Sequence, residues 1–193
     1  MGGFSFPNAA NTFTTTMNIP VPTANTVVTM PTTGTVVSST EPMSGMVIQV
    51  ANFTTGAMAT GTTIIPYDDT IPQNTEGDQY MSLSFTPRRA TSKLKVEVVV
   101  VASHTAVTDI ILSLFRDAVV DSIGGSAMYV TTATARSTQC FSVYINANST
   151  TTTLFKVRIG GAAAGTLTFN GSSGARQLGG SLASSITITE IAQ

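Results

Sequence analysis

The sequence predicts an all-β protein, an antiparallel jelly-roll sandwich over residues 45–193 preceded by an extended N-terminal arm over residues 1–44. Three observations predict it. Charged residues make up 10% of the chain, against about 25% in ordinary soluble domains, while Thr and Ser fill roughly a quarter of it. Thr is β-branched and suits a pleated, half-buried surface. Next, about ten short apolar runs follow one another at the spacing of a sandwich or barrel, and no segment carries helical periodicity. Last, an alternating run lies near residue 193, which suggests a final strand inside a sheet.

The arm differs from the rest. Pro7, Pro20, Pro22, Pro31 and Pro42 break ladders and favour extended chain. With few charges and little periodicity it is not expected to fold alone, so sister chains or another protein would hold it. Val27-Val28-Thr29-Met30 and Thr35-Val36-Val37 could add strands to a partner.

The strands are then read in order. Met46-Val47-Ile48-Gln49-Val50 opens the series and Thr62-Thr63-Ile64-Ile65 follows. In Tyr80-Met81-Ser82-Leu83-Ser84-Phe85, Met81, Leu83 and Phe85 share one face and the serines the other. From Leu94 to Val101, Leu94, Val96, Val98 and Val100 face one way. Lys95 and Glu97 face the other, joined by Val99 and Val101. That strand starts half exposed and ends buried on both sides, which needs a second layer or a neighbouring subunit. Residues 109–116 form an apolar run, with Ala118-Val119-Val120 pairing back across Arg116-Asp117. Tyr129-Val130-Thr131 comes next. In residues 139–145, Phe141, Val143 and Ile145 form one face, and in residues 153–159, Phe155, Val157 and Ile159 point inward. Leu167-Thr168-Phe169 precedes Asn170-Gly171, a tight-turn signal, and residues 185–191 close the set. Eight to ten antiparallel strands of this kind fit two packed sheets.

Several function classes fall away. The net charge is -1 with Lys and Arg scattered, so no phosphate-tracking stripe exists and nucleic acid is not an expected partner. No run of about 18 apolar residues spans a membrane. The start, Met1 to Pro7, lacks the regions of a signal peptide, so synthesis in a cytoplasm without export is expected. Cys140 is the only cysteine. It allows no intrachain disulfide, and within a strand pattern it reads as a small buried hydrophobe.

Catalytic, cofactor and metal sites are not expected. Asp68, Asp69, Glu76 and Asp78 form the one carboxylate cluster. They lack the glycine and closing Glu of a calcium loop, and read as a solvated loop in which Asp68 and Asp69 shape a turn. A glycosidase needs one acid in an apolar setting, whereas these sit amid Thr, Pro, Gln and Asn. His104 is the only histidine, which rules out a multi-histidine metal site. With no G-x-S-x-G elbow present, it reads as a loop residue between strands. Gly160 to Gly165 lacks the Lys and Ser/Thr of a phosphate loop and reads as a surface loop. Arg88-Arg89 and the stretch 174–180 are open to sugar contact, but a structural role at a subunit boundary is preferred.

Thr62 to Gln73, leading into Glu76-Gly77-Asp78-Gln79-Tyr80, together with Thr168-Phe169-Asn170-Gly171 and Ser184 to Ile191, resembles a domain of tailed-phage virion proteins and prophage tail fibres. That domain is similar to the trimeric jelly roll of the tumour-necrosis-factor and C1q type, and the resemblance covers residues 46–193. It implies a homotrimer in which Val99 and Val101 face the threefold axis and Tyr129 and Tyr144 lie at subunit contacts. It also implies host-facing loops at one distal end, at residues 103–108, 124–126, 147–152 and 160–165, represented by His104, Asn148 and Gly161. The arm would dock to other virion proteins. The expected function is attachment to a host-surface glycan or protein as a tail fibre or receptor-binding protein of the virion. The alternative is a capsid fibre, decoration protein or tail adaptor with no receptor role, which the short arm favours somewhat.

Overall fold

The computed structural model describes residues 43–193. The strand candidates at Val27 to Met30 and Thr35 to Val37, and most of the arm, lie outside them. Twelve strands occur among the described residues, in chain order β1 (Val47–Thr55), β2 (Ala59–Gly61), β3 (Asp78–Phe85), β4 (Lys93–His104), β5 (Thr108–Arg116), β6 (Gly124–Val130), β7 (Arg136–Asn146), β8 (Thr153–Gly161), β9 (Leu167–Phe169), β10 (Gly171–Ser172), β11 (Ala175–Arg176) and β12 (Ser184–Ile191).

Two antiparallel sheets carry the fold. The first runs β1-β12-β4-β7, with β9 and β2 continuing beside the far end of β4. The second runs β3-β8-β5-β6. Apart from the β5-β6 pair, neighbouring strands in the two sheets are non-consecutive, which makes this a double-sheet jelly roll. The inward rows follow the alternation of the sequence. Leu94, Val96, Val98 and Val100 of β4, with Ile186 and Ile188 of β12, meet Ile110, Leu112 and Leu114 of β5 and Phe155, Val157 and Ile159 of β8, all fully buried. Burying each such side chain stabilises the fold by about 1.5–3 kcal/mol.

Four local expectations change. Thr62 to Ile65 is not a strand. Its neighbour β2 pairs β9 for three residues, and Pro66 has no donor to continue a ladder. Ile65 is pinned by its N–H, which donates to the Gly161 carbonyl at 3.2 Å. Ala118 to Val120 does not pair with β5. Asp117 takes a positive φ of 51° and the partner of β5 is β6, in register from Thr108↔Val130 to Leu114↔Gly124, so Gly124 to Ser126 is strand rather than loop. The chain turns at Asn170, where φ is 52°, but the two-residue hairpin turn lies three residues later. Ser173 and Gly174 carry successive positive φ values of 53° and 75°, the geometry of a tight two-residue turn, and join β10 to β11. Asn170 instead ties strands together. Its Nδ2 donates to the Thr55 carbonyl at 2.7 Å, its Oδ1 accepts from Ser184 Oγ at 2.6 Å, and its N–H donates to the Val101 carbonyl at 2.9 Å.

At one end of the sandwich the fully buried Glu190 organises the turn between β3 and β4. Its carboxylate accepts the N–H groups of Arg88 at 2.9 and 3.0 Å and of Arg89 at 3.0 Å, and Gln49 Nε2 at 2.6 Å. Burial pushes the acid upward, but the donors aimed at it outweigh burial and hold it below its ordinary 4.5. A carboxylate depressed in the folded state contributes stability above its unfolded pKa and loses it as pH falls through the folded value. Thermal unfolding midpoints should therefore be level above pH 4.5 for this group and decline below it. A midpoint that holds level well into acid contradicts the assignment.

Candidate functional site

The outward face of the first sheet is the broadest surface that the strand registers define. Lateral pairing sets its rows, because directly opposed residues point to the same side. Val50, Thr189, Lys95 and Tyr144 form one row. Asn52, Thr187, Glu97 and Ser142 form the next, and Thr54, Ser185, Val99 and Cys140 the third. Lys95 Nζ and Glu97 Oε1 lie 2.8 Å apart, so the charges in the middle of the face cancel locally. The hydrogen bond that Lys95 donates to Glu97 raises the Lys95 pKa. Asn52 Nδ2 donates to Thr187 Oγ1 at 2.8 Å. What remains is a Thr/Ser field with apolar side chains standing out of it: Val50, Val99 at 38% exposure and Tyr144 at 57%.

No family model matches the chain, and no curated protein matches it. Among solved structures, Eiger TNF from S. frugiperda aligns over 75% of this chain and 94% of its own, at 10% identity and a TM-score of 0.45. Dimeric latent PorU from Porphyromonas gingivalis aligns over 79% of this chain and 14% of its own, at 12% identity and 0.36. A structure of infectious bursal disease virus, Gx strain, aligns over 75% of this chain and 37% of its own, at 12% identity and 0.34. The jelly roll itself rests on the strand order and registers above.

The expected interface residues separate. Val99 and Tyr144 share the outward face of the first sheet. Tyr129 is equally exposed but sits on β6, the edge strand of the second sheet, opposite Asp109. Val101 is buried by its own chain, which corrects its placement at a subunit contact. Its N–H donates to Ser184 Oγ at 3.0 Å and its carbonyl accepts from Asn170. The second layer over the end of β4 is thus intramolecular. Cys140 is exposed, contrary to a buried reading. Phe141, Val143 and Ile145 take the inward side and pack on the core, so residues 140, 142 and 144 must point out.

The expected host-facing residues separate as well. His104 is the last residue of β4 and is buried, with Ala106 N–H donating to its Nδ1 at 3.0 Å. Gly161 ends β8, also buried, and a Cβ there would lie 2.5 Å from His104 Nε2. Neither residue is on a surface loop, because both strands run farther than the apolar pattern indicates. Asn148 is exposed, with φ 59°, and its N–H donates to the Ala90 carbonyl at 2.9 Å. It lies near the start of β4, where Lys93 pairs with Asn146. His104 lies at the other end of the same twelve-residue strand, roughly 35 Å away at about 3.3 Å per residue. The loops therefore do not gather at one tip.

The carboxylates that drew attention in the sequence serve their own loops. Asp68 accepts from Thr70 N–H at 2.8 Å and its pKa is lowered by the bonds from Thr70. Glu76 accepts from Gln73 N–H at 2.8 Å. Asp78 accepts from Thr63 N–H at 3.0 Å and Oγ1 at 2.8 Å. Among the described residues no three His, Cys, Asp or Glu side chains converge. Sequence reasoning missed Glu190 and Asn170. Glu190 carried one available signal, an acid in the inward phase of an alternating strand.

Proposed function

We propose that this chain is a virion structural protein of a bacteriophage, assembled as a homotrimer, whose jelly-roll head attaches the particle to the host cell surface. It would be made in the bacterial cytoplasm and bind rather than catalyse. The observation that carries the reading is the outward face of the first sheet, where Val50, Val99 and Tyr144 stand exposed on a surface whose central charges are paired. Aromatic and apolar side chains with little net charge are the composition of a subunit contact. Tyr129, on a different face, fits the same assembly. A ring of copies uses two unlike patches per subunit rather than one self-complementary patch. Three heads on one particle also let weak single sites hold a cell firmly.

Adsorption tests the reading. Purified full-length protein should bind host cells and block phage attachment, and antibody-labelled electron microscopy should place it on the tail. Failure to bind or block on every host the phage infects would remove the receptor role.

A further inference from the structure

The outward face of the second sheet is roofed in part. Residues 66–72 cross it and leave a groove of about 560 Å³ above β5 and β6, a size within the usual small-molecule range of about 300–1,000 Å³. We infer that this groove binds a neutral saccharide. The inference rests on the attachment reading for its use and on the groove's own geometry for its chemistry.

The floor offers a hydroxyl with nothing to bond. Ser113 is 1% exposed, lines the groove, and its Oγ has no hydrogen-bond partner among the described residues. A buried hydroxyl left unpaired costs free energy that a ligand hydroxyl recovers. Beside it the strand is bare. Gly125 pairs with Ser113, and a Cβ there would lie 2.4 Å from the Leu112 carbonyl oxygen, so a side chain cannot fill the space.

The rim offers apolar surface and one free acid. Tyr67 is 67% exposed and Ile71 is exposed beside it. An exposed aromatic ring suits the C–H face of a pyranose. Among the described residues the Asp69 carboxylate takes part in no hydrogen bond, unlike Asp68, which is committed to Thr70. Among the described residues the lining contains two carboxylates and no Lys, Arg or His. That charge pattern repels phosphate, sialic acid and other anions, and leaves an uncharged polyol as the matching chemistry.

The groove is held open before any ligand arrives. Ser122 N–H donates to the Pro72 carbonyl at 2.9 Å, Gln73 Nε2 to Asp121 Oδ1 at 2.9 Å, and Gly77 N–H to the Ile64 carbonyl at 3.1 Å. These bonds fix the crossing segment at its base and reduce the ordering that binding requires.

The test uses the full chain in its native assembly against an array of neutral and acidic glycans, then saturation-transfer NMR with the best neutral disaccharide. Binding to a neutral glycan should weaken about tenfold or more in Tyr67→Ala, as removal of a stacking ring implies, with the unfolding midpoint unchanged. Asp69→Asn should weaken it too. No signal from any neutral glycan, or a signal indifferent to both substitutions, overturns the inference, as does occlusion of Tyr67 by a sister chain. Cell adsorption separates the two claims. If Tyr67→Ala adsorbs like the parent and the disaccharide does not compete, attachment stands and the groove assignment falls. If the disaccharide binds at Tyr67 while no host cell is bound, the groove stands and the attachment reading falls.

Discussion

Glu190→Gln should lower the stability of the head by about 3 kcal/mol, the scale of breaking a buried, hydrogen-bonded charge. The carboxylate receives three bonds from the Arg88 and Arg89 N–H groups and one from Gln49. An amide at that position keeps the volume but turns an NH₂ toward backbone donors, so at least one N–H in a closed site is left facing another donor. For a head of this size the unfolding midpoint should fall by about 6–12 °C. Glu97→Gln is the matched control. Its partner Lys95 is a surface pair, of the kind worth about 0–1 kcal/mol. Both variants are to be compared at one protein concentration, because assembly itself raises apparent stability. Equal losses from the two substitutions would contradict the role given to Glu190.

The second large effect concerns assembly. Val99→Asp combined with Tyr144→Asp places two carboxylates on the outward face of the first sheet without touching the inward rows. Burying unpaired charge at a contact, and losing an aromatic anchor, costs about 2 kcal/mol or more at each interface. The double variant should run as a single chain of 20.0 kDa with an unchanged β-sheet circular dichroism spectrum. Tyr67→Ala, on the far side of the sandwich, should leave the assembly intact. Dissociation by Tyr67→Ala, or an undisturbed assembly in the double variant, would assign the contact to a different face.

The alternation of apolar and polar residues carries most of this fold. Wherever one row of a strand was uniformly apolar, as at Leu94 to Val100, Phe141 to Ile145 and Phe155 to Ile159, the inward face follows the sequence. The readings changed where a run was short or ended in small residues. β6 begins Gly-Gly-Ser-Ala, with no apolar row to mark it, and is a strand because β5 supplies its ladder. β4 continues through Ala102, Ser103 and His104 because β9 pairs with those residues, a contact that joins positions more than sixty apart in sequence. Such pairing leaves no local trace. The same reason hides the groove. Tyr67 and Ser113 look unrelated along the chain, and only the crossing of residues 66–72 over β5 brings them to one cleft.

Val101 illustrates a further limit. Its apolar outward position is readable from period two, but whether a sister chain or the chain's own later residues cover it is not. At Val101 the chain's own residues leave only 6% of the residue exposed. Val99, two residues earlier, has no such cover.

The claim that most depends on this difference is that copies of the chain close over the first sheet. Sedimentation equilibrium of the full-length protein at micromolar concentration addresses it directly. A closed ring of three copies has a mass of about 60 kDa, three times the 20.0 kDa of one chain, and that is the expected result. A stable species of one chain's mass at that concentration, with Val99 and Tyr144 open to solvent, would contradict it.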